Sequence, residues 1–283
     1  MLLSNLSKEA LIAVIGVRHW SVEGVTFEST RGDGLVLLGC SHVAAWNCTF
    51  TAIGATAVTI RSGDSVELQS CRVLHAGATG VDIDAGDHAT LTPAEIVLNN
   101  SRVAHTGLLM PAYRPSVQIA GVGIAISNNE LSHSPHSAVL LGPAGAFDDV
   151  TVERNIIHHV VTDTWDAAAV YFQGHDFTSR GLIICHNFFH SIPQPMASDG
   201  ATAMCTRSEG PKNGLPYDPE CGRHVVYADC CGSSGFSVLS NIIYSPQLPQ
   251  GSMVVNNNGN RDMNASGNLV PTCSSSPSLD LAG

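Results

Sequence analysis

Three aspartates and a run of aromatic and imidazole side chains concentrate in the second half of this chain. The run His158-His159, Asp163, Trp165-Asp166, Tyr171, Gln173, His175-Asp176-Phe177 and Arg180 is followed later by Tyr227 and Asp229. His133, His136 and His190 flank it. Paired carboxylates act as acid and base, or acid and nucleophile, at a glycosidic bond, and aromatic faces hold sugar rings. The candidate catalytic groups are therefore Asp166, Asp229 and Asp176. The candidate substrate-binding residues are Trp165, Tyr171, Gln173, His136, His175, Arg180 and Tyr227. Asp166 and Asp176 also fall near expected turns, where aspartate caps backbone N–H groups for purely local reasons. Asp229 differs: it takes an outward strand position beside an aromatic, where strand propensity does not select aspartate.

Other chemistries have less support. No G-x-S-x-G elbow, catalytic-cysteine pattern or glycine-rich phosphate loop occurs. Cys230-Cys231 lacks metal-ligand spacing, and no metal or cofactor is expected. The formal charge is −11 and only Lys8 and Lys212 supply lysine, so nucleic acid and anionic membranes are poor partners. A neutral polysaccharide or oligosaccharide is the expected partner, engaged by a monomer. No stretch approaches the roughly 20 apolar residues of a membrane span. The apolar run at 10–16 follows Lys8-Glu9 and lacks a basic leader region, so no signal peptide is expected. Four N-x-S/T sites at Asn5, Asn47, Asn99 and Asn264 fit an extracellular, secreted protein.

The elements that position these groups are short and repetitive. Apolar anchors fall at Phe50, Val73, Val103, Leu131, Ile157, Phe189, Ile243 and Val270, spaced by 23, 30, 28, 26, 32, 54 and 27 residues. Two residues before each stands Cys48, Cys71, Ser101, Asn129, Asn155, Asn187, Asn241 or Asn268. Such a period marks a solenoid. Between anchors, segments with an apolar pair two apart read as period-two strands: Val58/Ile60, Val81/Ile83, Val117/Ile119, Val139/Leu141, Val170/Phe172 and Val226/Ala228. If these pairs face inward, Thr59, Asp82, Gln118, Leu140, Tyr171 and Tyr227 face outward. The next outward column is Arg61, Asp84, Ala120, Gly142, Gln173 and Asp229, whose small members would leave a groove floor.

The fold expected is all-β, a single-stranded right-handed parallel β-helix of about eight to nine turns. Its parts are an N-terminal cap or truncated segment (1–16), the β-helix (17–271, with an inserted loop at 193–223) and a C-terminal tail (272–283). Entry into the repeat almost at once is expected of a fragment. Stacked asparagines should bond to those above and below. His158 and His190 share a column and are expected to stack. Of the nine cysteines, Cys48 and Cys71 read as small buried hydrophobes or as a bridge between rungs. Cys205 and Cys221 flank a Pro/Gly-rich loop that a disulfide could close. An additional loop is expected over 85–99.

The stretch Asn155-Ile-Ile-His-His-Val-Val-Thr-Asp163-Thr-Trp-Asp166-Ala-Ala-Ala-Val-Tyr171, followed by Gly174-His-Asp176-Phe-Thr-Ser-Arg180-Gly181, resembles a group of pectin-lyase-like β-helix proteins similar to glycoside hydrolase family 141. Their pattern is N-x-I-H-H…E-T-D-D-A-G-A-I-Y-x-G-R-D-W-T-x-R-G, then Y-L-D-D a turn later. Ala89-Thr-Leu-Thr-Pro93, Tyr113-Arg-Pro115, Pro135-His-Ser-Ala138 and Gly259-Asn-Arg-Asp262 match as well. The resemblance spans roughly residues 15–270 and implies hydrolysis of plant or algal cell-wall glycans. Position by position it carries the pattern's aspartates onto Asp166, Asp176 and Asp229. The chain departs from the pattern with Asp163 for Glu, Trp165 for Asp, Ala168 for Gly, His175 for Arg and Cys230 for Asp. Asp166 lies seven positions before Gln173, about 23 Å along a straight strand. By that count it meets Asp229 only if the chain bends sharply, and Asp176 is the closer partner.

Overall fold

The structure is a computed structural model and describes residues 8–142, 145–164, 166–174, 179–192, 223–229, 234–245, 254–256 and 262–270. Parallel strands stack in three lanes, as the anchor period requires. One lane is an eight-stranded sheet of Thr26–Thr30, Thr49–Ile53, Arg72–Ala76, Arg102–Ala104, Glu130–Ser134, Ile156–Val160, Phe188–His190 and Ile242–Tyr244. Its register places Phe50, Val73, Val103, Leu131, Ile157, Phe189 and Ile243 in one column, and all seven are buried. We call it the anchor lane.

The site lane comprises Ile12–Ile15, Leu35–Leu38, Val58–Arg61, Val81–Ala85, the first part of Val117–Ser127, Val139–Leu141, Ala167–Phe172, Arg223–Ala228 and Val254–Asn256. A third lane runs from Arg18–Glu23 to Asn264–Ser266. The last two lanes form one 17-stranded sheet, because Val117–Ser127 runs through both of them. Gly121 makes that passage possible: at φ +110°, a Cβ there would lie 1.7 Å from the Ala85 carbonyl oxygen. The architecture is the expected right-handed parallel β-helix of about nine turns. Among the described residues, regular pairing begins at Ile12, which registers with Leu35.

Corners repeat as faithfully as strands. Asn47, Ser70, Asn100, Asn128, Arg154, His186 and Ser240 all have left-handed backbone, with φ between 49° and 57°. Only glycine and asparagine accept that conformation cheaply, so pairing on both sides of the corner holds Arg154 and His186 there. Immediately after this corner, Asn155 Oδ1 accepts from the Asn129 backbone N–H (2.9 Å) and side-chain amide (3.0 Å). Asn187, Asn241 and Asn268 repeat the arrangement. The second hydrogen of each amide goes to a carbonyl of an earlier turn, as from Asn155 to Ile126. Every buried polar group of the column is thereby satisfied.

Cys48 and Cys71 continue the column as free thiols, donating to Trp46 O at 3.3 Å and Ala45 O at 3.3 Å respectively. A rung of this ladder needs a small donor, and a thiol serves without a bridge. The extra loop is shorter than 85–99: Asp87 and Thr92 exchange two backbone bonds, and Ile96–Asn99 is already a strand. Cys205, Cys221, Cys230 and Cys231, and all of the 193–223 insertion except Arg223, lie outside the described residues. Among the described residues no helix is long and apolar enough to cross a membrane.

Candidate functional site

The site lane carries an outward column of successive register partners, Val36, Thr59, Asp82, Gln118, Leu140, Tyr171 and Tyr227. Its early members are half-buried, and Asp82 pairs there with Arg61. Leu140, Tyr171 and Tyr227 point the same way yet are 0%, 0% and 1% exposed. With Ala168 they form a small apolar cluster separate from the main core. The two tyrosine rings stack at 5.3 Å and 10°. Neither offers a free face to a sugar, contrary to their expected use as platforms; register sets the ring against its neighbour and the hydroxyl toward the strand end.

That strand end is Asp229, 8% exposed. Its N–H donates to Phe172 O at 3.0 Å. Tyr171 Oη donates to Asp229 Oδ2 at 2.6 Å, Tyr227 Oη to Oδ1 at 3.1 Å and Gln173 Nε2 to Oδ2 at 3.0 Å. Gln173 Nε2 also lies 2.9 Å from Tyr171 Oη. Gln173 itself sits over Gly142, where a Cβ would come within 2.2 Å of the Gln173 carbonyl. Three side-chain donors thus converge on one carboxylate, the kind of contact that favours a charged over a neutral carboxyl group. Burial, and then the hydrogen bond and charge of Asp229, push the Tyr171 phenol far above its ordinary value, so it remains a donor.

Asp166 enters the same field. It stands just before Ala167–Phe172 with a left-handed backbone, φ 50°, and its charge also acts on the Tyr171 phenol. The chain therefore turns at Asp166, at the start of the strand. His136 is 2% exposed, 6.1 Å from the Tyr171 ring and 3.1 Å from Ser137 Oγ; burial alone lowers its pKa to about 4. The half-exposed Tyr113 lies against His136 at 4.9 Å. Fully buried His224 lies 5.0 Å from Tyr227, and buried Arg223 donates to Thr164 O at 2.9 Å.

Sequence reasoning missed His224 because strict alternation turns it inward. Val225 and Val226 both enter the core, so the period slips and the imidazole stays outside. Arg180 is not drawn to Asp229; it begins a strand of the third lane and lies 3.6 Å from Asp148, which also pairs with His88. Trp165, His175, Asp176 and Phe177 lie outside the described residues.

Beside this cluster opens a cavity of about 480 Å³ lined by His105, Leu108, Pro111, His133, Pro135 and Asp163, among others. It shares the 107–113 loop with Tyr113 and the corner at Pro135 with His136. Stacked imidazoles run along its wall: His75–His105 at 5.0 Å, His105–His133 at 4.5 Å and His133–His159 at 5.1 Å. His158 and His190 stack at 4.6 Å as expected.

Fold and site together define a β-helix with one decorated outward lane. The chain belongs to the right handed beta helix region family, whose profile matches residues 33–205. No curated protein matches it. Among solved structures, the Azotobacter vinelandii mannuronan C-5 epimerase AlgE6 A-module is similar with a TM-score of 0.65 and 13% identity, over 90% of this chain and 58% of that one. The Dettilon tailspike protein (gp208) is similar at 0.51 and 12%, over 95% and 56%. A glycoside hydrolase is similar at 0.50 and 16%, over 84% and 37%. The chain thus spans between about a third and three-fifths of these proteins, and the likeness is one of fold.

Proposed function

We propose that the protein is a glycoside hydrolase of cell-wall-type, neutral polysaccharides, similar to glycoside hydrolase family 141, and that it acts outside the cell as a monomer. The observation that carries this reading is Asp229, a carboxylate gripped by Tyr171, Tyr227 and Gln173 with Asp166 acting on the same phenol. Hydrolysis needs two carboxyl groups in unlike environments, one held ionised and one able to carry a proton. Asp229, facing three donors, is the nucleophile or base. Asp166, on its bend, supplies the proton to the leaving oxygen; Asp176 is the alternative for that role. Tyr171 cannot ionise at neutral pH and positions Asp229. The cavity beside Pro135 accommodates an adjoining sugar, with Leu108 and Pro111 on its apolar side. Replacing Asp229 by Asn tests the assignment: unchanged release of reducing ends from cell-wall glycans overturns it.

A polysaccharide lyase is the second reading. Its support is His136, an imidazole 6.1 Å from the Tyr171 ring, the residue type that most often takes the proton in general base catalysis. Ultraviolet absorbance from an unsaturated product separates elimination from hydrolysis. Glycan-array binding with no turnover of any kind would instead make the chain a binding module.

A further inference from the structure

A second group of donors gathers at the corner between the third lane and the anchor lane, away from Asp229. Glu153 and Cys185 are register partners at the ends of Phe147–Glu153 and Arg180–Cys185, and Cys185 Sγ lies 4.0 Å from Glu153 Oε2. His186 follows Cys185 directly. Successive strand residues normally point to opposite faces, but His186 takes the left-handed corner conformation, φ 57°. One donor atom each from Glu153, Cys185 and His186 consequently lies within 4.8 Å of the other two. Arg154 occupies the other carboxylate oxygen, Glu153 Oε1, at 2.6 Å, which leaves Oε2 toward the thiol. Cys185 is buried and His186 exposed, so the group opens to solvent on one side only.

We propose that Glu153, Cys185 and His186 form a zinc site that clasps two successive turns of the coil. Carboxylate, thiolate and imidazole are a borderline-soft set that suits zinc over calcium or magnesium. Three protein ligands leave the fourth tetrahedral position to water. Small side-chain rotations close the donors onto an ion at bond lengths of about 2.0–2.3 Å. The Cys185 thiol releases its proton to solvent as the sulfur–metal bond forms. Without metal, that thiol is held above its ordinary value by burial and by Glu153. The site owes nothing to the proposed hydrolysis and stands or falls separately.

The test is titration of the full chain with zinc chloride against a chromophoric chelator, then with cobalt to read thiolate coordination. Other cysteines and histidines can take up metal, so the readout is the difference between variants. Cys185→Ser should diminish the thiolate-to-cobalt charge-transfer band and remove one zinc equivalent, whereas Cys71→Ser should change neither. His186→Asn, which tolerates the left-handed corner, should weaken zinc binding by more than about tenfold, since losing even a ligand's supporting partner costs that much. Should Cys185→Ser fold poorly, His186→Asn and Glu153→Gln carry the test at exposed or half-buried positions. A cobalt band undiminished by Cys185→Ser, or zinc affinity unmoved by His186→Asn, overturns the site.

Discussion

The asparagine column and the Asp229 cluster both bury polar side chains in the same coil, yet they are assembled by different rules. In the column one residue type recurs, and the carboxamide oxygens of Asn155, Asn187, Asn241 and Asn268 each receive two donors from the turn before. Around Asp229 nothing recurs: two tyrosines from neighbouring turns and a glutamine meet once, and each sends a donor to a single carboxylate. Repetition satisfies neutral groups and holds the scaffold. Convergence concentrates charge, which the scaffold does not require and which chemistry does. Four experiments press on that distinction.

The largest effect is expected from Asp229→Asn. Glycan turnover should fall by about 10²–10⁴-fold, the usual worth of a positioned acid or base, with little change in the unfolding midpoint, because an amide oxygen can still accept from Tyr171. A large loss of stability with activity intact would make Asp229 scaffold. Asn155→Ala should do the reverse. It strips the acceptor from two Asn129 donors and removes the amide that donates to Asn187 Oδ1 and Ile126 O, though the backbone N–H of residue 155 still reaches Asn187; the cost is about 1–3 kcal/mol for each buried group left unpaired. Denaturant unfolding measures the loss, while activity per folded molecule should hold.

Third, acid should loosen the fold. His136 sits at about 4 in the native state. His105, His133, His158 and His190 also lie below the ordinary imidazole value, through burial first and neighbouring imidazoles second. Below pH 6.5 the unfolded chain takes up these protons before the folded one does. Stability therefore falls as pH drops from about 6.5 toward 4 and is fully present above that window. His136 alone accounts for about 3 kcal/mol at the acid end. His136→Phe should flatten the profile of midpoint against pH; an unaltered slope would remove His136 from the account. The smallest effect is that of Tyr171→Phe, which deletes one charge-assisted bond worth about 1.5–3 kcal/mol. The acid limb of the activity profile should move to higher pH as Asp229 loses a donor, with the ring stack retained. An unmoved limb would show that Tyr171 only packs.

Much of this was written in periodicity. The inward pairs from Val58/Ile60 to Val226/Ala228, the anchor column, the asparagine rungs and the His158–His190 stack follow from residue types at fixed offsets. Counting alone could not find the places where the backbone leaves its period. Asp166 reaches the field of Tyr171 because φ turns positive there. His224 stays outside because Val225 and Val226 both go in. Leu140, Tyr171 and Tyr227 point outward and are nevertheless covered, which alternation cannot foretell. Glu153 and His186 are brought together across 33 residues of sequence by register and by the left-handed corner conformation of His186.

The direction of the asparagine rungs bears on how the chain is made. Donors sit on the earlier turn and the acceptor on the later one: Asn129 waits for Asn155, and Asn155 for Asn187. On a ribosome each newly coiled turn therefore emerges with its amides open, and only the next stretch of nascent chain closes them. Growth is vectorial, and a stalled or truncated product ends in an unsatisfied edge ready to recruit whatever strand comes first.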